Sequence, residues 1–376
     1  MSAAFAVSPP SSAPSRPRVM VVDDSVVVRG LMARWLEESG AFQVVTTASN
    51  GRAAVDALDR VDPEIVLLDI DMPELDGIST LPLLLAKRPD IQVVMVSTLT
   101  QRNADISLRC MSLGAVDYLP KPESNRHVTT STSFREELVM KLQALATSRR
   151  RRLGQAEPGR PAAARLAAPM PRPSPRPRAL AVAPRYLLVG ASTGGPKAVG
   201  EVLSHLGLAA QRVPILVVQH MPPVFTSAFA DHLRTQVGLP AKEGAHGERP
   251  LAGHIYVAPG GRHMGLAKEN GQIVLRLDDG PQVNFCRPAV DVLFRDAAAL
   301  IGASALSVVL TGMGSDGTHG AKALVEAGGA VVVQDEATST VWGMPGSIAK
   351  AGLAHDVLPL QEIAPALKTL MTGGAA

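Results

Sequence analysis

The first 147 residues alternate short apolar runs with segments of helical spacing. Such short runs, rich in branched aliphatic residues, are typical of parallel strands covered on both faces. The predicted strands are Val19–Val22, Gln43–Thr47, Ile65–Ile70, Gln92–Val96 and Val116–Leu119. The predicted helices are Val26–Glu38, Arg52–Leu58, Leu81–Lys87, Asp105–Leu113 and Phe134–Ala146. Five βα units of this kind predict an α/β domain over residues 18–147, with a parallel sheet between two helical layers.

The same alternation returns over residues 185–372 and predicts a second, doubly wound, mostly parallel α/β domain. Its predicted strands are Tyr186–Val189, Ile215–Val218, Ile255–Val257, Leu306–Leu310 and Ala330–Val333. Its predicted helices are Lys197–Leu206, Phe225–Gln236, Pro288–Leu300 and His319–Ala327. Weaker alternation near residues 265–277 indicates a small antiparallel insertion or edge hairpin.

Residues 148–184 separate the two patterns and read as an Arg/Pro-rich linker. Eight prolines lie between Pro158 and Pro184, where helices and sheet ladders are disfavoured. Ten arginines and a single acid lie between Arg149 and Arg185. An extended linker is the simpler interpretation, and anchoring on an acidic partner or membrane surface is the alternative. Residues 1–17, rich in Ser, Pro and Ala, are expected to be a disordered tail.

Composition and charge argue against a nucleic-acid-binding protein and against an integral membrane protein. A chain of 376 residues with 46% hydrophobic and 19% charged residues can bury two cores. The net charge of +3 is carried by the linker, so the domains are net acidic and no nucleic-acid partner is expected. The two cysteines, Cys110 and Cys286, read as free thiols in a reducing compartment. No apolar run approaches the ~20 residues of a membrane span, so a cytoplasmic protein that is not integral to a membrane is expected.

Carboxylates and a lysine follow successive strands of the first domain. Asp23 and Asp24 follow the first strand, and Asp69, Ser97 and Lys121 follow the third, fourth and fifth. These strand ends meet at one crevice of a parallel sheet, where clustered carboxylates favour Mg²⁺. Asp69 is then placed to accept a phosphoryl group, with Lys121 neutralising charge and Ser97 holding a phosphate oxygen.

The motifs of this half resemble those of response-regulator receiver domains. They are Met20-Val-Val-Asp-Asp24, Leu67-Leu-Asp-Ile-Asp-Met-Pro73, Asp76-Gly77, Met95-Val-Ser97 and Tyr118-Leu-Pro-Lys-Pro122. The resemblance implies a flavodoxin-like (βα)5 fold and phosphorylation of Asp69 by a histidine kinase. It also implies that Asp24, Asp69 and the Asp71 carbonyl bind Mg²⁺, with Asp23 in the same acidic cluster. Ser97, Tyr118 and Lys121 match the switch positions, with Ser97 standing where threonine is usual.

Three polar loops follow strands of the second domain. The loop 190–195 has the spacing G-x-S-x-G around Ser192, which exposes a serine hydroxyl on a tight strand-to-helix turn. His220 ends the next strand, and Asp316 lies in a loop after another strand. A serine, a base and an orienting carboxylate at one sheet edge favour a serine hydrolase. Nucleotide binding by the glycine-rich loop is the alternative, and His263 and His319 compete with His220 as the base.

Five longer motifs resemble the chemotaxis protein-glutamate methylesterase family, which also carries an N-terminal receiver. They are Gly190-Ala-Ser-Thr-Gly-Gly-Pro196, Gln219-His-Met-Pro-Pro223, Tyr256-Val-Ala-Pro-Gly260, Arg287-Pro-Ala-Val-Asp-Val-Leu-Phe294 and Leu310-Thr-Gly-Met-Gly-Ser-Asp-Gly317. The resemblance implies hydrolysis of glutamyl methyl esters on chemoreceptor cytoplasmic helices, with methanol released, and deamidation of receptor glutamines. Ser192 matches the nucleophile, His220 the base and Asp316 the orienting carboxylate.

The same resemblance places the backbone N–H groups of Thr193 and Met313 where an oxyanion hole is expected. The esterase is expected to need no cofactor, and the partners are expected to be methylated receptors and a chemotaxis histidine kinase. The segment Asn284-Phe-Cys before Arg287 departs from the family pattern in a substrate-facing loop. The alternatives from other classes are a DNA-binding regulator, which a basic helical output domain would favour, and a regulator that acts by docking without catalysis.

Overall fold

A computed structural model describes residues 16–121, 132–154, 180 and 182–372. Nearly all of the expected tail and most of the expected linker lie outside the described residues. The two α/β sheets predicted from the hydrophobic pattern are both present, so the predicted fold class is confirmed.

The N-terminal sheet contains five parallel strands in the order β2-β1-β3-β4-β5. They are β1 (Arg18–Val22), β2 (Gln43–Ala48), β3 (Ile65–Asp69), β4 (Gln92–Thr98) and β5 (Asp117–Lys121). The helices are α1 (Val26–Glu38), α2 (Gly51–Val61), α3 (Gly77–Lys87), α4 (Gln101–Ser112) and α5 (Thr132–Arg152). Strands β3 and β4 are buried along nearly their whole length, as expected for a sheet with helices on both faces.

Polar N-caps fix where the first four helices begin. The side chains of Ser25, Asn50, Asp76 and Thr100 each accept a hydrogen bond from the backbone N–H three residues later. Each cap satisfies one of the donors that a helix start leaves unpaired. The caps therefore set where each chain segment leaves the sheet edge that carries the acidic cluster.

Helix α5 ends later than the sequence pattern predicts. It continues to Arg152, so the first residues assigned to the linker are helical. Arg149 lies on this extension and contacts Glu64 Oε2 at 2.9 Å and Asp90 Oδ2 at 2.6 Å. Arginine is a good helix former, and two ion pairs to the preceding domain hold the added turn in place.

The C-terminal sheet contains seven strands in the order β14-β13-β12-β6-β7-β9-β8, with every neighbouring pair parallel. The strands are β6 (Tyr186–Ala191), β7 (Ile215–Gln219), β8 (Ala241–Glu243), β9 (Ile255–Val257), β12 (Ala305–Val309), β13 (Ala330–Gln334) and β14 (Asp356–Leu358). The helices are α6 (Gly195–Ser204), α7 (Phe225–Val237), α8 (Val290–Leu300), α9 (Thr318–Glu326), α10 (Met344–Lys350) and α11 (Leu360–Thr372). Two short 3₁₀ helices span Gly207–Gln211 and Gly302–Ser304.

The weak alternation near residues 265–277 forms an antiparallel hairpin of β10 (His263–Glu269) and β11 (Gln272–Asp278), as the pattern indicates. The hydrophobic pattern did not predict four further elements, which are β8, β14, α10 and α11. The two strands have three residues each, which is too short for an alternation to register. Helix α10 has only seven residues, too few for a clear helical period. Helix α11 contains Pro365 in its interior, where proline argues against a helix.

The two domains pack against each other through α4 and β5 of the first and α6 and α7 of the second. The ring of Tyr118 stacks on that of Phe225, with centroids 4.5 Å apart and planes inclined by 8°. Ser112 Oγ lies 3.4 Å from His232 Nε2 across the same contact. Leu108 and Phe229 join one hydrophobic cluster that spans both domains. Among the described helices, none is both long and apolar enough to cross a bilayer.

Candidate active site and phosphorylation site

The central position of β6 brings three C-terminal loops together. Strand β6 lies between β12 and β7, and all three strands are parallel. Two backbone hydrogen bonds extend the sheet past its strand ends: Ser192 N–H donates to the Thr311 carbonyl at 3.0 Å, and His220 N–H to the Ala191 carbonyl at 3.1 Å. The loop of Ser192 is thereby tied on one side to the His220 loop and on the other to the loop that leads to Asp316.

Ser192 lies on a strand-to-helix turn that depends on glycine. Gly194 has a φ of 74°, and a Cβ atom added there would lie 2.4 Å from Thr340 Oγ1. A Cβ atom added at Gly312 would lie 2.9 Å from Ser192 Cβ. The Gln219 side chain donates to the Ser192 carbonyl at 2.9 Å. The serine is therefore held by close backbone packing, and side chains at either glycine would displace it.

Asp316 is a buried carboxylate with an unusually complete set of donors. It is 1% exposed, and its Oδ2 accepts from His220 Nε2 at 2.8 Å and from Val290 N–H at 2.6 Å. Its Oδ1 accepts from Asp291 N–H at 3.1 Å and from Asn284 Nδ2 at 3.0 Å. Burial alone raises the pKa of Asp316, but the hydrogen bonds from His220 and the start of α8 outweigh burial and hold the pKa below its ordinary value. Asp316 thus stays ionised and fixes the imidazole in one orientation.

The second ring nitrogen of His220 faces a thiol. Nδ1 lies 3.4 Å from Cys286 Sγ, on the opposite side of the ring from Asp316. Burial lowers the pKa of His220, but the hydrogen bonds to Asp316 and Cys286 outweigh it and leave this pKa raised. Ligand atoms of His220, Cys286 and Asp316 lie within 4.8 Å of one another. Because the carboxylate and the thiol take different ring nitrogens, the three form a hydrogen-bonded chain rather than a converging set of metal ligands.

Because Nε2 is bonded to Asp316, Nδ1 is the ring nitrogen of His220 that remains for the predicted role as the base of Ser192. Among the hydrogen bonds of the described residues, none involves the Ser192 hydroxyl. In enzymes without substrate the hydrogen bond between nucleophile and base is often long, and it tightens in the complex. In this structure the thiol of Cys286 lies against that nitrogen.

The other two candidate bases lie elsewhere. His263 begins β10, is buried, and its Nε2 faces the Pro281 carbonyl at 2.9 Å. His319 is exposed in the first turn of α9. Of the three histidines, His220 is the one in contact with Asp316.

Two backbone N–H groups near Ser192 are available to an incoming oxygen. Within the described part of the chain, no hydrogen bond is donated by the backbone N–H of Thr193 or Met313. Thr193 is the residue after Ser192, and Met313 follows Gly312, which packs against Ser192 Cβ. Such unpaired donors beside a nucleophile are what an oxyanion hole requires.

The N-terminal crevice holds its charges in a compact cluster. Lys121 Nζ lies 3.0 Å from Asp23 Oδ2 and 2.8 Å from Asp69 Oδ1. Burial and the neighbouring Asp23 charge raise the pKa of Asp69 to about 7, although Lys121 lowers it. Carboxylate oxygens of Asp23, Asp24 and Asp69 lie within 4.8 Å of one another. Clustered hard oxygen donors of this kind fit a divalent cation such as Mg²⁺.

The remaining receiver residues surround this cluster. The Asp71 side chain is exposed and accepts from Asn103 Nδ2 at 2.9 Å, which leaves its carbonyl as the group for the predicted metal role. Ser97 Oγ lies 3.1 Å from Ser107 Oγ of α4, and both residues are fully buried. Tyr118 is buried against Phe225. Two of the three predicted switch residues, Ser97 and Tyr118, thus contact α4 and the second domain, while the third, Lys121, contacts the acidic cluster.

Comparison with known proteins finds a relative for each of the two domains. A family model described as "CheB methylesterase" matches residues 187–367, and one described as "Response regulator receiver domain" matches residues 19–132. A "Protein-glutamate methylesterase/protein-glutamine glutaminase" of Rhodopseudomonas palustris (strain HaA2) is 49% identical over 99% of both chains. The chain belongs to the CheB methylesterase family.

Two further proteins show the same likeness. A protein of the same name from Nitrobacter hamburgensis is 50% identical over 95% of this chain and 94% of its own. The crystal structure of the Thermotoga maritima CheB methylesterase catalytic domain matches 50% of this chain and 100% of its own, with 40% identity and a TM-score of 0.48.

Three residues of the CheB-type site have roles that the sequence did not reveal. Asn284 and Asp291 share a hydrogen bond of 2.8 Å, and Asn284 also donates to Asp316. Cys286 contacts His220. Asn284 and Cys286 lie in the segment that departs from the family pattern. That departure is the feature of the sequence that could have indicated their place in the site. Asp291 lies within a family motif, but its contacts depend on how α8 packs.

Cys286→Ala should shift the pH dependence of ester cleavage. The base must be neutral, so a raised pKa of His220 places the rise of kcat/KM at higher pH than ordinary imidazole would. Removing the thiol removes one of the groups that raise this pKa, and the rise should move to lower pH. The measurement is kcat/KM for a small activated ester against pH. Cys110→Ala, which alters a buried thiol of the first domain, should leave the profile in place. An unchanged profile in Cys286→Ala would show that the thiol does not act on His220.

Asp69→Asn should abolish phosphorylation of the first domain. The variant keeps the shape of the side chain but removes the nucleophilic oxygen, so an acid-labile label from a radioactive phosphodonor should not appear. Chelation of Mg²⁺ should have the same effect on the unmodified chain, because the carboxylate cluster would be left without its cation. Asp76→Asn changes an exposed helix cap of the same domain and should still be labelled. Labelling of Asp69→Asn would mean that another residue accepts the phosphoryl group.

Proposed function

We propose that this chain is a phosphorylation-activated hydrolase that removes methyl esters from glutamate side chains of chemoreceptors and deamidates receptor glutamines. The observation that carries the proposal is the His220–Asp316 hydrogen bond of 2.8 Å beside the Ser192 turn. Family membership and the names of the relatives support this choice of substrate.

Acylation begins when the Ser192 hydroxyl attacks the ester carbonyl carbon. Its proton passes to Nδ1 of His220, and Asp316 stabilises the imidazolium that forms. The N–H groups of Thr193 and Met313 stabilise the oxyanion of the tetrahedral intermediate. When the intermediate collapses, the C–O bond to the methoxy group breaks, and His220 returns the proton so that methanol leaves.

Deacylation repeats these steps with water. His220 takes a proton from the water as it attacks the acyl-enzyme, and the released Ser192 oxygen recovers a proton from His220. The products are a glutamate side chain and the free enzyme. A glutamine substrate follows the same route, with ammonia leaving in place of methanol.

Phosphorylation is expected to occur at Asp69, with a chemotaxis histidine kinase as donor. The carboxylate oxygen attacks the phosphorus, and the kinase imidazole leaves. Lys121 already contacts Asp69 and would pair with the added phosphoryl charge. Mg²⁺, when bound by Asp23, Asp24, Asp69 and the Asp71 carbonyl, would neutralise the remaining charge.

The contact between the domains supports receiver control of the esterase. Met313 and Val341 of the second domain pack against a hydrophobic cluster that includes Leu119 and Phe134 of the first domain. Met313 is also the candidate oxyanion donor near Ser192. A receiver docked in this position restricts the approach of a protein substrate to the site.

The switch residues offer a route from Asp69 to this contact. A phosphoryl group would attract the Ser97 hydroxyl, which now pairs with Ser107 of α4. Inward movement of Tyr118 would end its stacking on Phe225. A cavity of about 190 Å³ remains where α4 meets α6, lined in part by Met111 and Lys197. Loss of the contacts that Ser97 and Tyr118 now make would shift the population towards an open arrangement.

Ser192→Ala should lose methanol release from a methylated receptor fragment by on the order of a thousandfold or more, because the acyl acceptor is gone. His220→Ala should be severely impaired as well, and the double variant should be little worse than Ser192→Ala because the residues act as a unit. Phosphorylation of Asp69 should be intact in all three. His263→Ala is the matched control and should retain most activity. Methanol release that persists in Ser192→Ala would exclude this residue as the nucleophile, and a chain that acts only by docking would release none even when unmodified.

A fragment beginning at Pro184 should hydrolyse receptor esters faster than the unphosphorylated full chain. It lacks the domain that packs against Met313, so the site is permanently open. A phosphodonor should raise the rate of the full chain and leave that of the fragment unchanged. Full-length Asp69→Asn should stay at the low rate with the phosphodonor present. If the fragment proves no faster than the unphosphorylated chain, the receiver does not inhibit the esterase.

A further inference from the structure

A two-residue turn at the rim of the esterase site has an uncommon conformation. Val283 and Cys286 exchange both backbone hydrogen bonds, at 3.1 and 2.9 Å. Between them, Asn284 has a φ of 52° and Phe285 a φ of 61°. Two consecutive left-handed residues characterise a type I′ turn, in which glycine usually takes the second position. Asparagine tolerates this conformation, whereas a bulky aromatic side chain rarely adopts it.

Contacts on both sides hold this turn against the active site. Asn284 Nδ2 donates to Asp316 Oδ1 at 3.0 Å and to Asp291 Oδ2 at 2.8 Å. On the other side, Cys286 Sγ lies 3.4 Å from His220 Nδ1. Phe285 therefore stands between two residues that each touch the base or its orienting carboxylate. Its position relative to the site is fixed by the same groups that orient the imidazole.

The ring of Phe285 is almost entirely exposed to solvent. Its residue is 94% exposed, the most exposed of the large hydrophobic residues in the described part of the chain. An unfavourable backbone conformation combined with an exposed aromatic ring lowers the stability of the free protein. Strained residues of this kind persist mainly where they serve a site. The ring also stays outside the contact between the two domains, since it is exposed while they are packed together.

We propose that Phe285 is an apolar anchor for the protein substrate, packing on the helix that carries the glutamyl ester or glutamine. This inference rests on the proposed function for the identity of the substrate. When a side chain of the substrate reaches Ser192, the helix that carries it has to lie close to the turn that contains Phe285. Burial of an aromatic ring at the centre of a protein contact is a common source of binding energy.

An anchor of this type affects binding of the protein substrate more than the chemical step. It contacts the substrate helix in both the ground state and the transition state, so its loss should raise KM with little change in kcat. A small ester has no helix and cannot use the anchor. The ratio of kcat/KM for a receptor fragment to that for a small ester therefore reports the contribution of Phe285.

The test uses the full-length phosphorylated chain with Phe285→Gly and Phe285→Leu. Phe285→Gly suits the positive φ and should raise the thermal unfolding midpoint, so loss of folding cannot explain a loss of activity. We expect KM for a methylated receptor fragment to rise about tenfold in Phe285→Gly, the effect of a single anchor residue. The receptor-to-small-ester ratio should fall by the same factor. Phe285→Leu should restore part of the loss, because it returns apolar area.

Leu208→Ala is the matched control, since Leu208 is an exposed apolar residue (79%) of a 3₁₀ helix in the same domain. It should change neither KM nor the ratio. If the unmodified chain releases methanol and Phe285→Gly has the same KM, the anchor is overturned and the proposed function stands. An equal fall for both substrates would show that Phe285 only supports the shape of the site, which also overturns the anchor. If the unmodified chain cleaves the small ester but releases no methanol from the receptor, the proposed function and the anchor both fail.

Discussion

The buried carboxylate of Asp316 organises the esterase half of the molecule. A charge removed from water costs several kcal/mol unless its lone pairs are satisfied, and Asp316 is 1% exposed. Its donors come from the end of β7, from the rim turn at Asn284 and from the N-terminus of α8. One buried charge therefore fixes the imidazole, the rim turn and the start of a helix together. The positive end of the α8 dipole adds to the same stabilisation.

The candidate phosphorylation site differs from the esterase site in how its buried carboxylates are balanced. Lys121 bridges Asp23 and Asp69, and among the described residues it is the one ammonium group paired with the carboxylates of this crevice. Burial raises the pKa of Asp69, and the neighbouring Asp23 charge adds to this effect, although Lys121 lowers the pKa. The esterase site satisfies its buried carboxylate with hydrogen-bond donors from several elements. The receiver site instead clusters carboxylate oxygens, the ligands that a divalent cation prefers.

Residues that lie near each site also take part in the contact between the two domains. Ser97 pairs with Ser107 of α4, and α4 packs on α7. Tyr118 stacks on Phe225, the first residue of α7. On the other side of the contact, Met313 lies in the active-site loop and packs on the receiver. A two-state element that both sites can bias is the physical requirement for coupling. The packed arrangement seen in the structure and the open arrangement proposed above would be its two states.

The sequence by itself determined the elements and the loops that carry chemistry. Apolar runs such as Ile65–Ile70 and Ile215–Val218 are long enough for periodicity to indicate strands. In a parallel sheet, the carboxyl ends of the strands meet, so Asp23, Asp69 and Lys121 could be grouped without coordinates. The same argument placed Ser192 and His220 at one edge.

Only the tertiary structure decided which of these residues meet and through which atoms. The choice of His220 over His263 as the partner of Asp316 depends on the packing of the β10–β11 hairpin. The thiol of Cys286 on Nδ1 and the exposure of Phe285 depend on a turn whose positive φ values are held by Asn284. Hydrophobic periodicity records whether a residue is buried near its own position in the chain. It does not record contacts between side chains far apart in sequence, because those arise from how whole elements pack.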